Sequence, residues 1–589
     1  MTSKKSLLII NILMFAIPIF ISGQTVDLRN VELGNVIYQN SYIDQPYMLQ
    51  LNDRSWFCVF TTGTVSESFP GQHIVAIKSK DKGKTWSSPV SIEPNMGPIS
   101  SWAIPYKTSY GRIYVFYNYN GDNISVVKGQ HIKQAGLLGW YCYKYSDDNG
   151  NTWSDKNYRI PIRNTSADVH NEFDGLVQMF WGIDKPHYVA GSVFFAFTKL
   201  GKYVQDMGEG WMLKSDNLDT ERDPAKINWR LLPDGDYGVR NSKFGSVQEE
   251  HNTVVLNDGT FYCIFRTALG FLGITTSKDK AHTWSMPDTL RYASKQPNVI
   301  KNPRACPRLF KCKNGNYLLW YHNHGGKDFK QRTPVWVSGG IEKEGTIEWS
   351  QPEILLYTHE TKVNGMSYPD LIEEDGKYWI TETQKNIGRI HSIDPALLEG
   401  LWKQGKINNL TKKGLVFTAS NIVKPSEYQI PKFAKLSQGG MTIEMSLKFN
   451  NLKTNQIIFD NQDDKNAGIR ITVGSKNTLR IEVGDGINSS YIWTTDEGYL
   501  KTNTSHYVSF VIDGFAHTIS VIIDGKLCDG GYKRQYGWGK YLHTLDDING
   551  RAKTMVASQF DGVIHYLNIY NRYLTTSECI SNYLYYSKI

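Results

Sequence analysis

The sequence predicts an all-β protein, a six-bladed β-propeller followed by a β-sandwich. A short turn motif recurs along the first two thirds of the chain, and a repeat of six strand-opening units runs out of phase with it. From Gly414 onward both repeats stop and plain alternating strands take over. Aromatic residues make up 13% of the chain and glycines number 51, a mixture that favours strands and tight turns over helices.

The turn motif has the pattern Ser-x-Asp-x-Gly-x-Thr-Trp. It occurs at 79–86 and 146–153, and in a degraded form at 277–284. Asp accepts hydrogen bonds within a tight turn, Gly permits a positive φ, and Trp packs beneath the turn. We therefore interpret the motif as a structural staple and assign no chemistry to it.

The second repeat predicts the blades and a shared centre. Each unit starts with a polar or aromatic residue near a proline, continues as an apolar strand and ends at a turn. Six such units predict six blades, and the first strands of propeller blades start around the central axis. Polar residues at the starts of the units should therefore converge on one funnel. These residues are Asp44, Asp184, Glu250, Arg304 and Tyr368.

One predicted hairpin, 248–267, carries charge at both ends. Asp258-Gly259 is a tight-turn dipeptide between two apolar runs. Glu249 and Glu250 lie at the entrance of the hairpin and Arg266 at its exit. Because antiparallel pairing brings both ends to the same end of the sheet, we expect a carboxylate and a guanidinium to lie close together.

The expected organisation is a signal peptide at 1–23, the propeller at 24–405, a linker at 406–413 and the sandwich at 414–589. Lys4 and Lys5 precede an apolar run that ends near Ser22-Gly23, the pattern of a secretory signal. We therefore expect a secreted or periplasmic protein with no membrane span after signal removal.

Charge and cysteine content argue against a nucleic-acid partner, a disulfide framework and a zinc site. The net charge of +8 is modest for 589 residues and the basic residues do not cluster, which argues against a nucleic-acid partner. The seven cysteines are an odd number, and several lie in strand-like runs, so we expect buried thiols and not a disulfide framework. No Cys/His spacing indicates a zinc site, and no cofactor is expected.

The staple motif resembles the Asp-box, or BNR, repeat of sialidases and related propellers. In sialidases a Glu followed sixteen residues later by an Arg brackets an Asp-Gly hairpin, and Glu250 and Arg266 match that spacing. Ser367-Tyr368-Pro369, shortly before Asp375-Gly376, resembles the sialidase strand that carries the nucleophilic tyrosine. The resemblance covers about 26–400. The tail, with its late strand at 562–572, looks like a concanavalin-like, laminin-G-type sandwich, a fold that often binds glycans and often only packs against a catalytic module.

The resemblance implies roles for the converging residues. Tyr368 would be the nucleophile, Glu250 its base and Arg266 a clamp on a substrate anion. A tyrosine hydroxyl, with a pKa near 10, needs such a carboxylate to take its proton. Arg304, with Arg308 as the alternative, would be a further clamp.

Two positions depart from the sialidase pattern. Sialidases open with Phe/Tyr-Arg-Ile-Pro, whereas this chain has Asp44 where the first carboxylate-binding arginine stands. The substitution reverses the charge and would repel a substrate carboxylate. The loop that carries the acid Asp in sialidases, here 63–73, has no Asp but offers Glu67 and His73. Asp44 and Glu67 are therefore the remaining catalytic candidates, with Asp44 either the general acid or a hydrogen-bond partner of sugar hydroxyls.

We expect an exported carbohydrate-active enzyme, an exo-acting glycoside hydrolase on an acidic or sulfated glycan. One alternative is a propeller polysaccharide lyase on uronic-acid polymers, in which a His or Tyr abstracts a proton. The other is a non-catalytic glycan-binding protein. The expected substrate-binding residues are Arg266, Arg304, Arg308, Asp184, His73, His322 and Trp102.

Overall fold

The computed structural model describes residues 26–132, 134–171, 173–202, 206–293, 297–359, 365–487 and 490–588. The expected signal segment lies outside these ranges. The described chain is all-β, as predicted, with only three α-helices: α1 (Ser166–Val169), α2 (Pro395–Trp402) and α3 (Thr576–Tyr586). Within the same ranges, none of the helices has both the length and the apolar character needed to span a bilayer.

Six antiparallel sheets of four or five strands follow one another along 35–393. Sheet 1 contains Tyr42–Gln50, Trp56–Gly63, His73–Ser79 and Val90–Ser91, and sheet 2 contains Ser100–Lys107, Ile113–Tyr119, Trp140–Ser146 and Tyr158–Arg159. Sheet 3 contains Phe180–Trp181, His187–Val189, Ser192–Lys202, Asp206–Ser215 and Arg230–Leu232, and sheet 4 contains Gln248–Val255, Phe261–Thr267, Gly273–Ser277 and Asp288–Thr289. Sheet 5 contains Arg308–Lys311, Tyr317–Tyr321, Val335–Lys343, Thr346–Trp349 and Glu353–Leu356, and sheet 6 contains Leu371–Glu374, Lys377–Thr383, Ile387–Ile393 and Asn35–Gln39.

The start of the chain joins the last of these sheets. Asn35–Gln39 pairs antiparallel with Ile387–Ile393, so sheet 6 is built from both ends of this region. Hydrogen bonds also tie neighbouring sheets to one another. Thr381, in the second strand of sheet 6, donates its hydroxyl to the carbonyl of Pro46, in the first strand of sheet 1, at 2.8 Å. The backbone N–H of Leu309, in the first strand of sheet 5, donates to Asn252 Oδ1, in the first strand of sheet 4, at 2.9 Å.

The staple turns have the predicted hydrogen bonds. Asp81 accepts the backbone N–H of Thr85 at 2.9 Å and its hydroxyl at 2.6 Å. Asp148 and Asp279 accept the same two bonds from the threonines of their own copies. In the degraded copy Ala281 takes the place of glycine and still adopts a φ of 70°. The carboxylates of the motif are thus occupied by the turn itself, which confirms the structural interpretation.

The C-terminal part is a sandwich of two antiparallel sheets. Ile443 and Met445 on one sheet and Ile471 and Ile481 on the other belong to a single buried apolar cluster. Sheet 7 contains Leu415–Ile422, Gly562–Tyr570, Met441–Phe449, Ser505–Asp513, Thr518–Ile523, Lys526–Leu527 and Gly539–Lys540; sheet 8 contains Ser426–Gln429, Lys553–Val556, Ile457–Asp460, Ala467–Gly474, Thr478–Asp485 and Ser490–Thr494. All seven cysteines of the chain are free and buried, as expected.

The sandwich packs against sheet 5 through a seam that contains a buried carboxylate. Glu353, at the start of the last strand of sheet 5, accepts the backbone N–H groups of Thr576 at 3.0 Å and Ser577 at 2.8 Å. These are the first residues of α3, whose N-terminal N–H groups have no partner within the helix. Glu353 therefore caps a helix of the other part of the chain.

The contribution of Glu353 to the stability of this seam is expected to fall as pH rises. Burial raises the pKa of Glu353 to about 7 despite its hydrogen bonds. A carboxyl whose folded pKa lies above its unfolded value stabilises the fold below the unfolded pKa, and that stability is lost as pH rises through 7. Relative to Glu353→Gln, the wild type should lose on the order of 3 kcal/mol of unfolding free energy between pH 4.5 and 8.

The check is chemical denaturation of both proteins across that pH range. Glu348→Gln, an exposed carboxylate on the same sheet that pairs with Lys343 at 3.1 Å, is the matched control. The control should keep the wild-type pH dependence. A parallel pH dependence in wild type and Glu353→Gln would contradict the prediction.

Candidate active site

The first strands of several sheets carry a local irregularity at the same place. The pairing register shifts between Asp44 and Tyr47 in sheet 1, and equivalent shifts occur in sheets 2 and 4. Four non-glycine residues at or near such starts have left-handed backbone conformations: Gln45 at φ 50°, Trp102 at 55°, Glu250 at 56° and Tyr368 at 50°. Bulges re-aim side chains, and strained residues of this kind cluster at functional sites. The repetition of the feature marks this region as the candidate site.

A buried tyrosine–carboxylate pair lies at its centre. Tyr368 Oη donates to Glu250 Oε1 at 2.8 Å, joining the segment before sheet 6 to sheet 4. Both residues are buried, and Glu250 Oε2 has no hydrogen-bond partner among the described residues. Burial, and next the charge of Glu250, raise the pKa of Tyr368 well above its usual value. The phenol is therefore neutral, and its proton already faces a carboxylate.

The expected carboxylate–guanidinium contact is present and forms a network. Arg266 Nη1 lies 2.7 Å from Glu250 Oε1, and its Nη2 lies 2.8 Å from Glu249 Oε2. Arg304 Nη2 lies 2.7 Å from the other oxygen of Glu249. Arg266 is 1% exposed. The charge of Arg266 is thus balanced by two carboxylates of the protein. Arg266 therefore positions Glu250 and is less available to a substrate anion than the family resemblance implies.

Asp44 pairs with a lysine that sequence reasoning missed. Lys385 Nζ lies 2.7 Å from Asp44 Oδ2, 3.4 Å from Glu67 Oε2 and 4.8 Å from the centre of the Tyr368 ring. Tyr42 Oη also donates to Asp44, at 2.9 Å. Burial raises the pKa of Asp44, and the nearby Lys385 opposes that rise. The negative charge of Asp44 is therefore paired with Lys385, which lies in the turn after Lys377–Thr383.

A second missed residue is Arg332, in the connection between two strands of sheet 5. Its Nη1 donates to Ser367 Oγ at 2.9 Å, next to Tyr368, and its Nε donates to the carbonyl of Phe329 at 2.9 Å. The residue is 6% exposed, and no carboxylate of the described chain forms an ion pair with it. Burying a guanidinium without a counterion is costly, so this position favours binding of an anion.

Two expected substrate-binding residues are engaged in contacts within the protein. Asp184 accepts the backbone N–H of Ala196 at 2.9 Å and the hydroxyl of Thr253 at 2.7 Å. Arg308 lies 3.5 Å from Asp184 and over the ring of Tyr47. Within the described chain, no hydrogen bond or ion pair connects either residue to Tyr368 or Glu250. Arg304, and not Arg308, is therefore the candidate clamp that belongs to the site.

The remaining candidates lie around the site. Trp102 is buried with its ring 6.4 Å from that of Trp181, which lies 5.9 Å from Arg266. His73 is half-buried, with Nδ1 2.9 Å from the carbonyl of Gly71. Burial lowers the pKa of His322 well below its usual value, so this fully buried imidazole is neutral. Trp102 thus reaches Arg266 through Trp181, and neither histidine has a described hydrogen bond to Tyr368 or Glu250.

No group of three metal-ligating side chains comes together anywhere in the described ranges.

Two family models match the chain. Residues 101–380 match the BNR repeat-like domain, and residues 425–579 match the concanavalin A-like lectin/glucanases superfamily. A comparison with curated proteins found no match.

Among solved structures, the chain is similar to a Trypanosoma rangeli sialidase in complex with 2,3-difluorosialic acid, at 12% identity, 95% coverage of this chain, 98% of that chain and a TM-score of 0.43. It is similar to a Hadza microbial sialidase at 15% identity, with 60% and 66% coverage and a TM-score of 0.43. A protein of unknown function from Dyadobacter fermentans matches at 14% identity, with 61% and 98% coverage and a TM-score of 0.45. Identities this low assign no activity. The chain is thus similar to BNR repeat-like proteins over 101–380 and to concanavalin A-like proteins over 425–579.

Proposed function

We propose that the protein is an exported, exo-acting glycoside hydrolase that acts on an acidic or sulfated glycan. The observation that carries the proposal is the buried contact of 2.8 Å between Tyr368 Oη and Glu250 Oε1. A neutral phenol held against a carboxylate in a site with several cations is suited to nucleophilic attack on a sugar that carries negative charge. Export and exo action rest on the sequence pattern and on the family resemblance.

We also propose that sheets 1 to 6 are the blades of a six-bladed propeller around this site, occupying 24–405, with a linker at 406–413. The hydrogen bonds between neighbouring sheets support the arrangement. So does the pairing of Asn35–Gln39 with Ile387–Ile393, because a strand from the start of the chain then completes the last blade. Propellers commonly protect their sheet edges by such radial repetition.

The proposed reaction is a double displacement. Tyr368 Oη attacks the anomeric carbon while Glu250 accepts the phenolic proton, and the bond to the leaving oxygen breaks. Water then displaces Tyr368 from the sugar and loses a proton to the group that protonated the leaving oxygen, the proton on Glu250 returns to the phenolate, and the anomeric configuration is retained. A neutral nucleophile meets less repulsion from an anionic sugar than a carboxylate would.

The leaving oxygen needs a proton, and Glu67 is the better placed of the two candidate acids. Asp44 is fully buried, with Oδ1 accepting the backbone N–H of Gln45 and Oδ2 bound by Tyr42 and Lys385. The side chain of Glu67 is 34% exposed, and Lys385 is its one described ion-pair partner. We therefore assign the acid role to Glu67 and a positioning role to Asp44.

Replacement of Glu67 by Gln should slow hydrolysis about 10²-fold for substrates with poor leaving groups, the usual contribution of a general acid. Aryl glycosides with acidic phenol leaving groups should be hydrolysed at nearly the wild-type rate, because they leave without protonation. The measurement compares kcat/KM for both substrate types. Glu32→Gln, which removes a charge paired with Arg389 at 3.0 Å, is the control. An equal loss on both substrate types would remove Glu67 from the acid role.

We assign recognition of the negative charge on the proposed substrate to Arg332, because no described carboxylate pairs with this buried cation. Replacing Arg332 with Gln should raise KM for an anionic substrate about tenfold, the effect of losing roughly 1.4 kcal/mol of binding. KM for the matched neutral glycoside should change little. A parallel change of KM for both substrates would show that Arg332 acts through folding.

The proposed function is tested by incubating the full chain with sulfated, sialylated and uronate-containing glycans. A hydrolase releases new reducing ends with saturated sugars, and exo action releases single terminal units. Formation of an unsaturated uronate, seen by its ultraviolet absorbance, would establish the polysaccharide lyase and overturn the hydrolase. Binding of these glycans without any product would establish the non-catalytic alternative.

A further inference from the structure

A cavity separate from the candidate active site lies at the seam between the two parts of the chain. Its volume is about 590 Å³. The wall from the first part is the connection between sheets 4 and 5, around Asn298 and Lys301. The wall from the sandwich consists of 496–499 and the loop 529–534. A volume of this order is within the range of small-molecule and saccharide sites, which often lie between domains.

The loop 529–534 of the seam cavity is fixed by hydrogen bonds from both parts of the chain. Lys301 Nζ donates to the carbonyls of Asp529 and Gly531, each at 2.6 Å, and of Arg534 at 2.9 Å. Asp496 accepts the backbone N–H groups of Asp529 at 2.8 Å and of the following glycine at 2.9 Å. The loop is thus fixed before any ligand arrives, and a preformed site loses less entropy on binding.

Two tyrosines face this cavity in different ways. Tyr499 receives a hydrogen bond from the amide of Asn298 at 3.1 Å, so its ring forms part of the wall. Tyr532 is 88% exposed and has no described hydrogen bond. A fixed loop that presents a bare aromatic ring beside a cavity is suited to stacking on the C–H face of a sugar, because tyrosine combines an apolar face with a polar tip.

The charged side chains at the mouth of the seam cavity indicate which class of ligand it would bind. Lys476 and Lys533 both pair with Glu497, at 3.0 and 2.5 Å, so one carboxylate serves two ammonium groups. The other two carboxylates of the lining are engaged: Asp496 by Arg534 and backbone N–H groups, and Asp529 by Gly531 and Asn298. The excess charge at the mouth is therefore positive, which favours an anionic group on the ligand.

We propose that the seam cavity is a second binding site for an acidic oligosaccharide, with Tyr532 as its stacking platform and Lys476 and Lys533 as its anion contacts. The site is independent of turnover at Tyr368.

The test uses the full chain carrying Tyr368→Phe, so that binding is measured without turnover. The probes are a hexuronate tetrasaccharide, sialyllactose and neutral cellotetraose, followed by calorimetry and by saturation-transfer NMR. At least one acidic probe should bind more tightly than cellotetraose. Adding Tyr532→Ala should weaken that binding about tenfold, the loss of one aromatic contact. Tyr237→Ala, which removes another tyrosine that is 71% exposed, is the matched control.

Each contrary outcome identifies what failed. Equal affinity in the Tyr532→Ala and Tyr237→Ala proteins overturns the seam site, and so does the absence of binding by all three probes. Tighter binding of cellotetraose than of the acidic probes overturns the ligand class. In the protein with Tyr368 intact, Tyr532→Ala should leave hydrolysis of a small aryl glycoside unchanged, so failure of the seam site is distinct from failure of the proposed function.

Discussion

Replacing Tyr368 with Phe should abolish turnover, with a loss of at least about 10³-fold in kcat, the scale seen when a nucleophile is removed. The change deletes one oxygen, which donates to Glu250 at 2.8 Å. The ring remains to fill its buried position, and Arg266 still pairs with Glu250 at 2.7 Å. We therefore expect a loss of only about 1 kcal/mol in unfolding free energy, that of one hydrogen bond.

The measurement is single-turnover kinetics with a fluorinated sugar that slows the second displacement, followed by mass spectrometry. Wild type should accumulate a covalent adduct on the peptide that contains Tyr368. Tyr507→Phe is a matched control, because Tyr507 is buried and donates to Glu444 at 2.9 Å in the sandwich. The control should keep full activity. Normal turnover by Tyr368→Phe, or an adduct on another residue, would remove Tyr368 from the nucleophile role.

Replacing Arg266 with Met should destabilise the fold by about 3–5 kcal/mol, the range found when one partner of a buried ion pair is removed. Arg266 is 1% exposed and pairs with both Glu249 and Glu250. Methionine fills most of the volume but leaves both carboxylates with one cation fewer. Glu250 then has no cation among its described ion pairs, which is the larger part of the expected cost.

Denaturant unfolding measures this effect, and Arg304→Met provides the comparison. Arg304 pairs with the same Glu249 at 2.7 Å, but it is more exposed, and no described hydrogen bond or ion pair joins it to Glu250. We expect its loss to cost about 1 kcal/mol, as for a partly exposed pair. Equal effects of the two substitutions would show that Arg266 is not the holder of the buried carboxylates. A stable Arg266→Met protein with only a raised KM would restore the substrate clamp implied by the family resemblance.

Local patterns were sufficient for much of this structure. The hairpin at 248–267 was predicted from Asp258-Gly259 between two apolar runs, and its strands pair with Glu249 opposite Arg266. The staple turns follow from Asp, Gly and Thr within eight residues, since the hydrogen bonds that the Asp carboxylates accept are local. The contact between Glu250 and Tyr368 was reached by spacing and family resemblance, and the structure brings the two side chains together.

Other parts of the site had no local signal. Lys385 and Arg332 lie in connections between strands, in stretches whose composition is that of ordinary polar turns. Each reaches the site because a neighbouring sheet places it there, Lys385 beside Asp44 and Arg332 beside Ser367. The contacts of Asp184 and Arg308 also had no local signal, since their partners Thr253 and Tyr47 lie far away along the chain.

The sequence by itself determined the all-β class, the staple turns, the charged hairpin and the change of pattern after Gly414, because these depend on periods and turns within a few residues. Only the tertiary structure decided which charges meet. Asp44 is balanced by Lys385, Arg266 is occupied by two carboxylates, and Arg332 is the buried cation that the described carboxylates leave unpaired. The physical reason is that charge pairing depends on distance and burial between sheets that lie far apart in the chain, which no spacing within one strand encodes.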